Sequence, residues 1–157
     1  MAPWYDTLWP LLQRALHPDK LPTEISAPTG PTADLSPLAL AYLGDAIYEA
    51  YVRSRLLSQG TMKLDALHQG AVARVRAVAQ ARVLDELAPR LTDEERSVAR
   101  RARNARPTHV PRGTPLADYH RSTAFEALLG YLLLTGQTER LNLLLNEAWA
   151  AGSRPLD

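Results

Sequence analysis

Cysteine is absent from the 157-residue chain. That removes thiolate catalysis, thiolate-bound zinc and any disulfide framework, and it fits a reducing compartment such as the cytoplasm. No apolar run approaches the roughly 20 residues of a membrane-spanning helix, so the sequence predicts a soluble protein. The N-terminus, "MAPWYDTLWPLLQRALHPDK", lacks a basic leader followed by an uninterrupted apolar segment and makes a poor signal peptide. Alternating apolar and polar positions are missing, as is any internal repeat, so nothing points to strands. The 4 histidines fall in no HExxH or other metal-ligand spacing, and there is neither a GxSxG elbow nor a glycine loop that would cradle phosphate.

What is present reads as an all-α domain preceded by an extension. Residues 1–35 hold Pro3, Pro10, Pro18, Pro22, Pro28 and Pro31. Prolines this dense allow only a short helix near Trp4 to Leu16, with Trp4, Tyr5 and Trp9 available to staple it to the body. The domain proper is expected over 36–157, where one core can form without metal or disulfide. Ser36 and Pro37 suit the start of a first helix running to about Ser58. A second, over Met62 to Leu87, places Leu64, Leu67, Ala71, Val75, Val78 and Val83 on one face. Thr92 and Glu95 make a capping box for a third, reaching about Ala105. Pro107, Pro111, Gly113 and Pro115 mark a loop, and two further helices are expected over Tyr119 to Leu134 and Thr138 to Trp149.

Two acids stand in surroundings that are otherwise apolar. Asp45 lies within "LALAYLGDAIYEAYV", and Glu126 is the only carboxylate of "STAFEALLGYLLL". Burying an unpaired carboxylate costs several kcal/mol or forces it to bind a proton. Gly44 adjoins Asp45, and Gly130 lies one turn beyond Glu126. Glycine in a helix interior costs up to about 1 kcal/mol relative to alanine, which suggests that another backbone approaches closely. Helices crossing at these glycines would bring the carboxylates together, and a hard divalent cation, Mg²⁺ best of all, would then lie between them. The alternative is a pair of ordinary core acids, Asp45 matched by Arg53 and Glu126 by Arg121 or His120. Glu49, one turn after Asp45, reads as a supporting or solvated group.

The net charge of +1 hides an uneven distribution: between Arg96 and Arg121 there are seven arginines and one acid, Asp118. Arg96, Arg100 and Arg103 share a helical face, with Arg101 nearby and Arg106 just past the end. Guanidinium groups match phosphate oxygens in bidentate geometry, and Asn104 adds a neutral donor and acceptor. With the following loop, which carries His109 and Arg112, the segment is either a surface for a polyanion or a plain solvated face. His68, in "LHQGA", is placed either to touch phosphate or to complete a core hydrogen bond.

These residues resemble a known family. "YLGDAIYE" resembles the signature helix of the ribonuclease III catalytic domain, and "TAFEALLGYLLL" its second acidic motif. In order, "LALAYLGDAIYEAYVR", "LHQGAVARV", "RRARNA" and "YHRSTAFEALLGYLLL" are similar to Mini-ribonuclease III, the short bacterial branch without a double-stranded-RNA-binding domain, over about Leu35 to Trp149. The resemblance implies that Asp45 and Glu126 are the essential Mg²⁺ ligands. With the basic valley that the resemblance implies, His68, Arg100, Arg101, Arg103, Asn104 and Arg106 are the candidates to contact RNA, and Tyr42 stands where the family's dimer contact has an aromatic. Two further acids of standard ribonuclease III are replaced here by Ala41 and Thr123, as is typical of the branch, which leaves the number of cations open.

The family's fold is an all-helical homodimer with a basic valley, each subunit cutting one strand of an RNA duplex to leave 5′-phosphate and 3′-hydroxyl ends. Its members mature the ends of precursor 23S rRNA, and a large-subunit ribosomal protein is a possible partner. Two rival readings are a catalytically silent, ribosome-associated RNA-binding relative and an all-α metal-dependent nucleotide hydrolase. Retention of both acids speaks against the first. The second would show clustered acidic pairs, whereas this chain has single acids.

Overall fold

The computed structural model describes residues 36–60, 63–106, 110 and 112–152. The expectations for residues 1–35, including the short helix and its aromatic staples, lie outside these, as do those for Pro107, His109 and Pro111. The described residues form helices and no strands. None of the helices is long and apolar enough to cross a membrane.

Helix α1 spans Pro37–Ser58, with the ring of Pro37 in the first turn, where its missing N–H leaves no bond unmade. The Ser36 side chain makes no capping bond, contrary to the sequence expectation. The second predicted helix is two: α2, Leu64–Val75, and α3, Ala77–Leu87, broken where Arg76 adopts an extended backbone (φ −62°, ψ 148°). The Val75 carbonyl, which an unbroken helix would pair with the Ala79 N–H, accepts instead from Gln80 Nε2 at 2.7 Å. The Ala79 and Gln80 N–H groups turn to the Arg76 carbonyl at 3.0 and 3.1 Å. The break resets the helical phase: Val78 is exposed, and Ala79, Gln80, Val83, Leu84 and Leu87 face inward.

A 3₁₀ turn, Ala88–Arg90, leads to α4, Asp93–Arg103, which starts on the predicted capping box. Glu95 Oε2 accepts the Thr92 N–H at 2.8 Å, and Thr92 Oγ1 accepts the Glu95 N–H at 3.2 Å. Glu95 also takes a buried ion pair from Arg140 at 2.7 Å, which ties α4 to the last helix, α6, Thr138–Gly152. Helix α5, Leu116–Leu134, begins one turn earlier than expected because the Pro115 carbonyl accepts from the N–H groups of Asp118 and Tyr119.

Helix α5 is the axle of the fold, packed by α1, α3 and α4. Its residues are apolar on nearly all sides because it is covered on nearly all sides. Phe125, Leu128, Leu129 and Leu132 are fully buried, each stabilising the fold by about 1.5–3 kcal/mol relative to exposure. Phe125 meets Tyr48 of α1 edge to face, with centroids 4.9 Å apart.

Candidate active site

The α1–α5 crossing is built on the two glycines. A Cβ added to Gly44 would lie 1.7 Å from the backbone oxygen of Glu126, and one added to Gly130 would lie 2.1 Å from that of Leu40. Only hydrogen fits at either point, so the helix-propensity cost of both glycines is offset by backbone-to-backbone contact. The contact sets Asp45 beside Glu126, as the sequence predicts.

The two acids differ in environment. Glu126 is half-buried in the crossing, whereas Asp45 is exposed, together with Ala46, Ala50 and Tyr42. The apolar run around Asp45 is therefore not core on every side. Neither acid has the arginine that the structural alternative requires. Arg53 pairs with Glu49 at 2.5 Å, and Arg121 pairs with Asp118 at 2.6 Å and Asp85 at 3.0 Å. Burial, and then the Asp45 charge, push the Glu126 carboxyl up to about 8, with a hydrogen bond from the Gln80 side chain partly opposing them. Partial burial and the neighbouring Glu49 raise Asp45 as well. Two neighbouring carboxylates, both held above their ordinary range, are poised to take up a proton or a cation.

The donor set fits Mg²⁺. It consists of two carboxylates, and among the described residues no three histidine or acidic side chains converge as a metal cage would require. Mg²⁺ keeps most of its waters and needs only one or two carboxylates.

The basic residues divide into two places. Arg103, Asn104 and Arg106, at the end of α4, line an open cavity of about 860 Å³ with Leu116, His120 and Arg121 of α5. Arg100 is exposed one turn earlier. Arg96 is drawn away from this group by Asp93, at 2.6 Å. His68 lines a different, mostly apolar cavity of about 230 Å³, with Arg53, Leu56, Leu57, Leu64, Leu67 and Ala71. It is exposed, so it completes no core hydrogen bond.

Two residues escaped the sequence reading. His120, expected only as a partner for Glu126, lies four residues from Leu116, and both line the cavity at the end of α4. Gln80, fully buried beside Glu126, carried a signal that the assumption of a continuous second helix concealed: a polar amide among "VAQARV".

Comparison with known proteins follows the same order of residues. The model of the Ribonuclease III domain family matches residues 38–137. The Mini-ribonuclease 3 of Symbiobacterium thermophilum is 52% identical over 114 residues, covering 73% of this chain and 88% of that protein. That of Brevibacillus brevis is 44% identical over 115 residues, 73% of this chain and 86% of the relative. A crystal structure of a Fusobacterium nucleatum protein, 31% identical, superimposes with a TM-score of 0.66 over 72% of this chain and 90% of the other.

Proposed function

Because the chain belongs to the ribonuclease III family and is a double-stranded-RNA endoribonuclease of the Mini-ribonuclease 3 kind, we propose that Asp45 and Glu126 form its Mg²⁺ site and its catalytic centre. The observation that carries this reading is the glycine-to-backbone crossing of α1 and α5, which leaves two acids side by side without a basic partner. The cation, when bound, supplies an activated water at neutral pH and stabilises charge on the transferring phosphate and the leaving 3′-oxygen. Asp45, on the open side of the crossing, is the more accessible ligand, and Glu126 anchors the site from within. Cleavage by water attack at phosphorus leaves a 5′-phosphate and a 3′-hydroxyl.

Duplex RNA hides most of its sequence, so recognition rests on phosphates, 2′-hydroxyls and helix shape. Arg100, Arg101, Arg103, Asn104 and Arg106 are the phosphate-facing group in this reading, and His68 contacts the duplex from its own site. Two copies are needed to cut both strands. Tyr42, 86% exposed on α1, is the aromatic that a homodimer would bury. The substrate of this reading is precursor 23S rRNA in the cytoplasm, matured at its ends and presented with a large-subunit ribosomal protein.

The test is incubation of a perfect RNA duplex with the protein and Mg²⁺, with chelator and with a nucleoside triphosphate as controls. Staggered cuts with 5′-phosphate ends that vanish with chelator are expected. RNA binding without cleavage, or hydrolysis of the triphosphate instead, would contradict the reading. Mapping 23S rRNA ends in cells lacking the protein tests the substrate: unprocessed ends are expected, and normal ends would remove that assignment.

A further inference from the structure

Among the described residues, Gln80 is a large polar side chain in the core that, unlike the ion-paired and helix-capping Glu95, leaves a buried polar atom without a partner and has no task in the mechanism. It is 1% exposed. Its orientation is fixed by chemistry, because the Val75 carbonyl at 2.7 Å can only accept and so must face Nε2. The same side chain lies close enough to the Glu126 carboxylate to favour its charged form. A primary amide has two N–H bonds, enough to serve both the carbonyl freed by the break at Arg76 and the carboxylate of the crossing. Oε1 is buried with no hydrogen-bond partner. An apolar side chain of this size would fill the space without an open acceptor, so packing alone does not account for a glutamine.

We propose that Gln80 is a positioning residue: its amide ties Glu126 to the α2–α3 break and so fixes the carboxylate where the cation is held. This assignment rests on the reading of Asp45 and Glu126 as ligands. It gives the break at Arg76 a purpose, since an unbroken helix would pair the Val75 carbonyl with its own backbone and leave the amide no fixed anchor. Partners that orient metal ligands typically change metal affinity 10–100-fold when removed.

The experiment titrates Mn²⁺ into the RNA-free full chain by calorimetry, comparing wild type, Asp45→Asn, Gln80→Leu and Gln80→Met, with thermal unfolding of each variant in chelator. Gln80→Met keeps the unbranched length, should leucine fit the space badly. Expected are a cooperative unfolding transition in at least one Gln80 variant and Mn²⁺ affinity at least about tenfold below wild type. Duplex RNA binding in Ca²⁺ should be unchanged. Wild-type Mn²⁺ affinity in a folded Gln80 variant, while Asp45→Asn abolishes binding, would overturn this inference alone. Failure of both Gln80 variants to fold would make the residue structural and overturn it too. Mn²⁺ binding that is absent in wild type, or unaffected by Asp45→Asn, would overturn the metal site and the inference together.

Discussion

Glu126 carries the electrostatic strain of the site. Its carboxyl is held at about 8 in the fold against an ordinary 4.5, so the folded protein binds a proton at Glu126 more tightly than the unfolded chain does. Without metal, the group favours the fold fully below about pH 4.5, and that contribution is lost as the pH rises through about 8. Glu126→Gln, which keeps the shape and removes the charge, should therefore gain stability over wild type across that window. Denaturant midpoints in chelator at the two ends would show this, and equal midpoints at pH 8 would contradict it. Asp45→Asn follows the same direction, because partial burial and then the neighbouring Glu49 disfavour its charge. A buried acid with a matched arginine would instead lose about 3 kcal/mol on this change. The sequence located both carboxylates through their apolar neighbours. It could not show that Asp45 is open to solvent, because neighbouring apolar residues do not reveal which side of a helix a second element covers.

The helices were legible wherever local chemistry decided them. Thr92 and Glu95 mark a helix start by their reciprocal bonds and Pro37 by its fixed φ and missing N–H, and the structure begins helices there. The break at Arg76 was not legible, because it depends on a side chain, Gln80, replacing a backbone donor. No glycine or proline flags it. The close approach at Gly44 was legible because glycine inside an apolar helix is costly, and it yields a sharp expectation. Gly44→Ala gains up to about 1 kcal/mol of helix propensity. It also drives a methyl into the Glu126 carbonyl, and overpacking of this kind costs about 1–3 kcal/mol or more. Net destabilisation in urea is expected, and a variant as stable as wild type would deny the crossing. At the end of α4, replacing Arg100, Arg103 or Arg106 singly with alanine should weaken binding of every duplex alike and reduce the salt slope by about one. Stability should hardly move, since exposed arginines contribute little to the fold. An unchanged salt slope in all three would return the segment to a solvated face.

On the scale of the whole molecule, one chain presents one pair of acids, and a duplex has two strands. The order of motifs along the chain made the family legible, and the family match over 38–137 agrees with it. The proposed homodimer rests on Tyr42, a large aromatic left open on α1. Tyr42→Ala should shift sedimentation at micromolar concentration from dimer toward monomer and lower cleavage in step. A wild-type monomer that cuts both strands would contradict that assembly. The central claim is that Asp45 and Glu126 act as one unit on one cation. Single-turnover cleavage of a duplex RNA in Mg²⁺ by Asp45→Asn, Glu126→Gln and the double variant tests it most directly. The account predicts that each single variant loses cleavage by orders of magnitude while still binding the duplex, and that the double variant loses little more, because residues serving one centre are not additive. Cleavage near the wild-type rate in either single variant, or losses that multiply in the double, would contradict it.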